Sequence, residues 1–188
     1  DTINIQAPGS VLPYRETFES LGTTTGDFIV PQCWYTFPRD NWSTSSNPDL
    51  FGGRSMCGGA NFLYTQRRSP NKSVTFQPTQ MTAVAPGFFL ETDSTYRFSF
   101  WFKDNGSSTL WDSIYAVYGL SPLNVNTSMS PSFANFKNEK YRYYTSEIKA
   151  ATTADHFFGI RIKETSALSK RQFLDNVEFK KKYQHDLV

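Results

Sequence analysis

The chain contains only two histidines, and this scarcity narrows the catalytic chemistry available to it. No serine lies in a Gly-x-Ser-x-Gly turn, and no His-Glu-x-x-His segment is present to hold a catalytic zinc ion. The sequence leaves a glycoside hydrolase open, because such an enzyme needs paired carboxylates and four acidic residues could converge in space. They are Asp104, Asp112, Asp155 and Glu164. Nothing in the pattern favours that convergence, so we expect a protein that is not an enzyme.

Long apolar runs and large blocks of one charge are also missing. The formal net charge is +2, and the basic residues are scattered apart from Arg67-Arg68 and Lys180-Lys181-Lys182. That scatter argues against a nucleic-acid-binding surface. No apolar run approaches the length of a membrane-spanning helix. Residue 1 is aspartate and no leader sequence is recognisable, so we expect a trimmed or mature product of a secreted protein.

Cysteine is scarce as well, with Cys33 and Cys57 alone. Their spacing differs from the CxxC of a metal or redox site. One disulfide in an oxidising compartment and two buried free thiols are both open. We predict the disulfide, because both cysteines border strand-like runs that a two-strand return could bring together.

Aromatic residues, by contrast, are abundant, with 17 Phe and 10 Tyr, and this composition suits short strands better than helices. The clearest alternation places Tyr96, Phe98, Phe100 and Phe102 on one face of a strand over residues 94–103. About eight to ten such strands and no helix indicate an antiparallel two-sheet β-sandwich.

Predicted strands cover residues 14–19, 31–37, 60–64, 73–76, 94–103, 113–120, 140–148, 156–163 and 172–180. Turn-forming residues predict long loops over residues 38–53 and 121–137. We expect one domain over residues 14–180. An extended lead-in at 1–13 precedes it, and a basic linker at 181–188 leads towards a further module.

Two acidic residues stand out at the ends of this domain. Glu19 ends the first predicted strand, and Asp175 lies inside the apolar closing strand. An isolated buried carboxylate is costly, so such a group needs hydrogen bonds or a counter-charge. A Ca²⁺ ion bound by both carboxylates would supply it. The alternatives are that the acids are solvated or begin a turn, or that Arg15 or Arg54 forms a salt bridge with them.

The outer face of the central strand suggests a place for a ligand. It carries Arg97, Trp101 and Lys103, which together with Tyr115 and Arg161 from other strands could form a polar surface with an aromatic floor. Sugars need such a surface, because rings stack on their C–H groups while charged side chains bind their hydroxyls. The alternative is that the loop at 121–137 covers the tryptophan and the cations are solvated.

Loop tips are a competing location for binding residues. Trp42 lies in the predicted loop 38–53, and Trp111 lies beside Asp112 just before a predicted strand. Both are therefore candidate ligand-binding residues. Trp34 follows a proline that opens a strand, so we expect it in the core.

Six sequence elements in a fixed order carry a resemblance to known domains. They are Phe18-Glu19, Pro31-Gln32-Cys33-Trp34, Gly52-Gly53-Arg54-Ser55, Tyr96–Phe102, Phe158-Gly159-Ile160-Arg161 and Leu174-Asp175-Asn176-Val177. In this order they resemble the jelly-roll domains of secreted Bacteroidetes proteins, the cleaved-adhesin and choice-of-anchor group. That group is related in pattern to MAM domains and to jelly-roll carbohydrate-binding modules. Its Trp-Leu-x-Ser-Pro element is reduced here to Pro86, and the cysteine pair is not general in it.

The resemblance implies a galactose-binding- or concanavalin-like jelly roll whose first and last strands lie close together. It implies a module of a larger extracellular chain that binds a glycan or a cell-surface protein. In jelly-roll carbohydrate-binding modules an early glutamate and a closing-strand aspartate bind structural Ca²⁺, and Glu19 and Asp175 occupy the matching positions. Carbonyls of Gly52-Gly53 are expected as further ligands.

Two functions therefore stay open. The first is a carbohydrate-binding module, which several aromatic side chains exposed together would favour. The second is an adhesion module that binds protein, or a spacer between domains, which complete burial of the tryptophans would favour.

Overall fold

The computed structural model describes residues 12–19, 26–27, 30–31, 33–37, 42–45, 62–65, 79–104, 111–136, 140–164 and 172–182. These residues form thirteen strands that pair antiparallel in two sheets. Within these ranges there is no helix long and apolar enough to cross a membrane. The prediction of an all-β, two-sheet jelly-roll sandwich is confirmed.

One sheet has seven strands and the other has six. The seven-stranded sheet contains β1 (Tyr14–Glu16), β2 (Gly26–Asp27), β4 (Trp42–Ser45), β5 (Phe62–Thr65), β8 (Thr95–Asp104), β11 (Arg142–Lys149) and β13 (Gln172–Lys181). The six-stranded sheet contains β3 (Tyr35–Phe37), β6 (Thr79–Val84), β7 (Phe88–Leu90), β9 (Trp111–Gly119), β10 (Thr127–Phe136) and β12 (Ala154–Glu164). Their spatial orders are β11-β8-β13-β5-β4-β2, with β1 also on β13, and β10-β9-β12-β6-β3, with β7 also on β12.

The hydrophobic core lies between the two sheets. Alternation along β8 buries its predicted aromatic row, while Ile160 and Ile162 of β12 are buried from the other side. Phe158 joins the layers, because its ring centroid is 4.3 Å from that of Phe179 and 5.8 Å from that of Phe98. Burying a Phe side chain contributes roughly 1.5–3 kcal/mol, so this cluster is a large part of what holds the sheets together.

The first and last strands are neighbours, as predicted. Tyr14 pairs with Phe179 and Glu16 pairs with Val177. The first strand is shorter than predicted, because Phe18 has a φ of 62°. The second begins late for the same reason, since Cys33 has a φ of 65°. A residue in the left-handed region cannot continue a strand.

Several strands were not predicted. The segment 121–137 is predicted as a loop, but most of it forms β10, an edge strand on β9. Pro131 misleads the sequence-based prediction: it falls in a register shift between Ser128 and Ser132, where a missing N–H is tolerated. Strand β4 interrupts the predicted loop 38–53, and β6 and β7 flank Pro86. The strand predicted at 73–76 lies outside the described residues.

Candidate ligand-binding surface

A single cross-strand row runs over the outer face of the six-stranded sheet. Pairing places Phe37 beside Thr82, Thr82 beside Arg161, Arg161 beside Tyr115, and Tyr115 beside Ser132. Neighbouring strands are roughly 4.8 Å apart, so four gaps give a row about 19 Å long. We name these five residues the Arg161 row.

The row faces away from the core. Ile160 and Ile162 flank Arg161 along β12, and Ile114 and Ala116 flank Tyr115 along β9; all four are buried between the sheets. Successive side chains of a strand point to opposite faces. The residues of the row therefore lie on the outer face of their sheet.

Arg161 is held in one orientation by three hydrogen bonds. Its Nε donates to Thr82 Oγ1 at 3.1 Å. Its Nη2 donates to the Val125 carbonyl at 2.7 Å and to Asn126 Oδ1 at 3.2 Å. All three acceptors are neutral, so they orient the guanidinium without cancelling its charge.

The segment between β9 and β10 folds back over the outer face and supplies two of these acceptors. Val125 is buried against Val84 and Val117. The chain approaches Gly119 so closely that a Cβ there would lie 2.0 Å from the Asn124 carbonyl oxygen. Only glycine accommodates such an approach. The segment therefore forms a wall beside the Arg161 row.

Aromatic and polar side chains surround the row. Phe37 is 37% exposed. Three further aromatic residues are half-buried against Val84, Val117 and Val125; they are Tyr35, Tyr115 and Phe157. Gln80 Nε2 lies 3.4 Å from the Tyr115 hydroxyl, to which it can donate. The surface thus offers ring faces together with amide, hydroxyl and guanidinium groups, which is the combination that a sugar can use.

The predicted surface combining Arg97, Trp101 and Lys103 with Tyr115 and Arg161 is wrong as one site. The first three belong to β8 of the seven-stranded sheet, and the last two belong to the six-stranded sheet. Both sheets turn their other face to the shared core, so the two outer faces point in opposite directions. Alternation identifies the outer face of a strand but not the sheet that the strand joins.

On the seven-stranded sheet, Trp101 is half-buried beside Tyr143, with ring centroids 5.1 Å apart, and Tyr143 is 44% exposed. The segment 121–137 does not cover this pair, because β10 belongs to the other sheet. Lys103 is buried, with its ammonium group 5.2 Å from the ring centre of Tyr141 and 5.3 Å from that of Phe173. It is therefore enclosed by rings rather than offered to a ligand.

Arg97 is engaged in an ion-pair network on the same outer face. Its Nη2 lies 3.0 Å from Glu147 Oε1, and Lys182 Nζ lies 3.0 Å from Glu147 Oε2. The hydrogen bonds from Lys182 and Arg97 lower the pKa of the Glu147 carboxyl. This cation already has a carboxylate partner.

The predicted tryptophan sites separate as well. Trp42 is the first residue of β4 and Trp111 is the first residue of β9, so they belong to different sheets rather than to one cluster of loops. Their side chains lie outside the described part of the chain. Trp34 is buried, as predicted, and its Nε1 donates to the Tyr14 hydroxyl at 2.9 Å.

The carboxylate of Asp175 is fully buried near the junction of β1 and β13, and its Oδ1 accepts the Asn176 N–H at 2.7 Å. Glu19 follows β1, which pairs with the same strand. Arg15, a predicted salt-bridge partner, donates to Asn176 Oδ1 at 2.6 Å and lies 3.5 Å from Glu178. Among the described residues, no three side chains of His, Cys, Asp or Glu form a cluster that could hold a metal.

Four residues predicted for the metal site and the disulfide lie outside the described residues. They are Gly52-Gly53, Arg54 and Cys57. No disulfide is seen at Cys33, which is exposed with a free thiol. It lies in a turn with positive φ rather than within a strand, so it is not a buried thiol either.

Sequence reasoning missed Phe37, Thr82, Gln80 and Lys163. Lys163 could have been found from its alternation with Arg161 along β12. The other three come from strands that are distant from β12 in the chain: β6 lies about 80 residues before it and β3 about 120. Sheet pairing alone brings β6 beside β12 and β3 beside β6. No local pattern in the sequence indicates that proximity.

Comparisons with known proteins address the fold. No protein-family profile matches the chain, and no curated protein does. Among solved structures, the K1 cleaved adhesin domain of Lys-gingipain from Porphyromonas gingivalis W83 is 14% identical. The match covers 92% of this chain and 100% of that domain, with a TM-score of 0.60.

Two further structures have similar scores. The carbohydrate-binding module TmCBM61, in complex with beta-1,4-galactotriose, is 10% identical over 88% of this chain and 94% of its own, with a TM-score of 0.56. A cyclase from Fischerella sp. TAU is 15% identical over 88% and 93%, with a TM-score of 0.59. Identities this low establish the fold alone. The chain thus has the β-sandwich fold of cleaved adhesin domains and carbohydrate-binding modules, a fold that also occurs in an enzyme.

Proposed function

We propose that this protein is a non-catalytic carbohydrate-binding module that acts outside the cell and binds its glycan along the Arg161 row. One observation carries the proposal: Phe37 and Tyr115 stand on either side of an oriented guanidinium on a continuous five-strand surface. Rings spaced along such a row can stack on successive sugars, while Arg161 fixes their hydroxyls. The fold of a module solved with beta-1,4-galactotriose supports the same interpretation.

The polar groups of this surface are suited to binding rather than to bond cleavage. Glycoside hydrolysis needs two carboxyl groups roughly 5–10 Å apart. The described side chains in the Arg161 row and next to it supply a guanidinium, amides and hydroxyls. The nearest described carboxylate of the same face on β12 is Asp155. It lies six residues from Arg161, or about 20 Å along an extended strand.

Binding to a glycan array, followed by affinity measurement on the best ligand, tests the proposal. Tyr115→Ala should weaken binding by about tenfold, which corresponds to about 1.4 kcal/mol. Trp101→Ala is the matched control, since it removes an aromatic side chain from the opposite sheet and should leave the affinity unchanged. If Trp101→Ala loses binding and Tyr115→Ala does not, the glycan binds the seven-stranded sheet and the proposal is wrong.

A protein-binding adhesion module is the second candidate. The observation that favours it is the aromatic pair of Trp101 and Tyr143 on the outer face of the seven-stranded sheet. The ion pairs of Arg97 lie on the same face, four residues or about 13 Å away along β8. Aromatic side chains bordered by charges are common at protein interfaces. Absence of any glycan binding, with Trp101→Ala abolishing attachment to a cell-surface protein, would support this candidate over the first.

We also propose that Glu19 and Asp175 bind a structural Ca²⁺ ion. Pairing of β1 with β13 supports this, because it brings the two carboxylate-bearing segments together at the terminal strands. Oxygen donors from a strand and a neighbouring turn suit the flexible coordination of Ca²⁺. When bound, the ion would stabilise the junction of the terminal strands and would take no part in glycan recognition.

A further inference from the structure

Charge is distributed differently on the two outer faces of the sandwich. Five cations of the seven-stranded sheet and its margins have carboxylate partners, whereas Arg142 and Lys180 of that sheet have none among the described residues. The pairs are Arg15–Glu178, Arg97–Glu147, Lys149–Asp93, Lys181–Glu91 and Lys182–Glu147. On the six-stranded sheet, Arg161 and Lys163 have no carboxylate partner among the described residues. The cationic charge of that surface is therefore available to a ligand.

The guanidinium of Arg161 also retains donors. Its Nε and Nη2 make the three bonds to Thr82, Val125 and Asn126. The two N–H groups of Nη1 have no acceptor within the described part of the chain. An arginine that is half-buried and already oriented loses little entropy on binding an anion, and a charge-assisted bond is about twice as strong as a neutral one.

Lys163 lies two residues further along β12, on the same face and about 7 Å away along the strand. It is exposed and stands between Gln80 and Ser113 in the register. A single acidic group above β12 would be within reach of both cations. Tyr115 lies beside Arg161 on the next strand, so a sugar ring stacked there would carry its substituents towards them.

We propose that the preferred ligand is an acidic glycan, a polysaccharide containing uronic acid, whose carboxylate binds Arg161 and Lys163. This inference rests on the proposed carbohydrate-binding function. It specifies the class of sugar, since a neutral glycan would leave two cations without a partner at the centre of the surface. Binding should weaken with added salt, because the interaction is partly ionic.

The test compares each uronate polysaccharide with its carboxyl-reduced form, in which the backbone is kept and the charge is removed. Polygalacturonate, alginate and glucuronoxylan serve as probes. At least one acid form should bind at least tenfold more tightly than its reduced form. Lys163→Gln should weaken that binding several-fold, and Arg161→Lys should do so because lysine cannot reproduce the oriented fork. Lys180→Gln is the control: it removes the same charge from an exposed residue on the opposite sheet.

Equal binding of the acid and reduced forms, or binding of neutral glycans alone, would overturn this inference and leave the proposed function standing. Failure to bind any glycan would overturn both. If poly-glutamate binds as tightly as the uronates, the ligand is an acidic peptide rather than a sugar, and the inference is overturned. If Lys180→Gln and Lys163→Gln weaken binding equally, the protein attracts polyanions in general rather than at β12, and this result also overturns the inference.

Discussion

Substitution of Gly119 by alanine tests whether the wall segment positions Arg161. The new Cβ would lie 2.0 Å from the Asn124 carbonyl oxygen and 3.0 Å from Val125 Cα, and both are backbone atoms that cannot rotate away. To restore ordinary contact distances the segment must move by more than about 1 Å. The bonds from Arg161 to the Val125 carbonyl and to Asn126, 2.7 and 3.2 Å long, would then be lengthened or lost.

Two costs follow from this movement. Overpacking costs typically about 1–3 kcal/mol, and a hydrogen bond from a charged group contributes about 1.5–3 kcal/mol. The two effects overlap, so we expect the free energy of unfolding to fall by about 2–4 kcal/mol. For a domain of this size the melting temperature drops by about 2–4 °C per kcal/mol, which gives a shift on the order of 10 °C.

Urea unfolding and thermal melts measure this change, and glycan affinity measured on the folded variant should fall with it. Leu123→Ala is the matched control, because Leu123 belongs to the same segment but is exposed. Its effect should stay within about 0.5 kcal/mol. Wild-type stability and affinity in Gly119→Ala would refute the idea that this segment packs on β9 and orients Arg161.

Three further predictions concern the core, the pH dependence and the metal. Phe158→Ala should lower the free energy of unfolding by about 3–5 kcal/mol, because it removes the ring that joins the sheets; a loss below 1 kcal/mol in urea titration would contradict this packing. Burial raises the pKa of Glu16 above its ordinary value of 4.5, so native stability should fall as pH rises from there through the raised pKa. Glu16→Gln should remove that part of the pH dependence. Identical stability–pH profiles of the variant and the wild-type protein would show that the pKa of Glu16 is not raised. Chelation should lower the melting temperature if Ca²⁺ binds Glu19 and Asp175, and Asp175→Asn should abolish the sensitivity; an unchanged melt together with no metal by elemental analysis would leave the salt bridge as the explanation.

Much of the fold could be predicted from local pattern. The alternation of β8, the apolar closing strand and the aromatic composition are sufficient for a two-sheet sandwich, because strand period and burial are coupled within each strand. Strand β10 was missed, since Pro131 and its polar neighbours have the composition of a loop while sheet pairing makes them an edge strand. Here tertiary pairing overrides local propensity.

The candidate site was only partly predictable. Arg161 and Tyr115 were identified correctly as outward-facing, because their strands alternate clearly. Their supposed neighbour Trp101 is on the other side of the molecule, and their actual neighbours Thr82 and Phe37 come from strands distant in the chain. Which strands become neighbours depends on long-range contacts, and these leave no periodic signal in a single sequence.

Chemical-shift mapping tests the central claim most directly. The isotope-labelled protein is titrated with the glycan that binds best on the array, and the backbone amides are followed in two-dimensional spectra. We predict that the largest shifts fall in β6, β9 and β12, centred on Thr82, Tyr115 and Arg161. Shifts centred instead on Trp101 and Tyr143 of the opposite sheet, or no shifts at saturating glycan, would contradict the account.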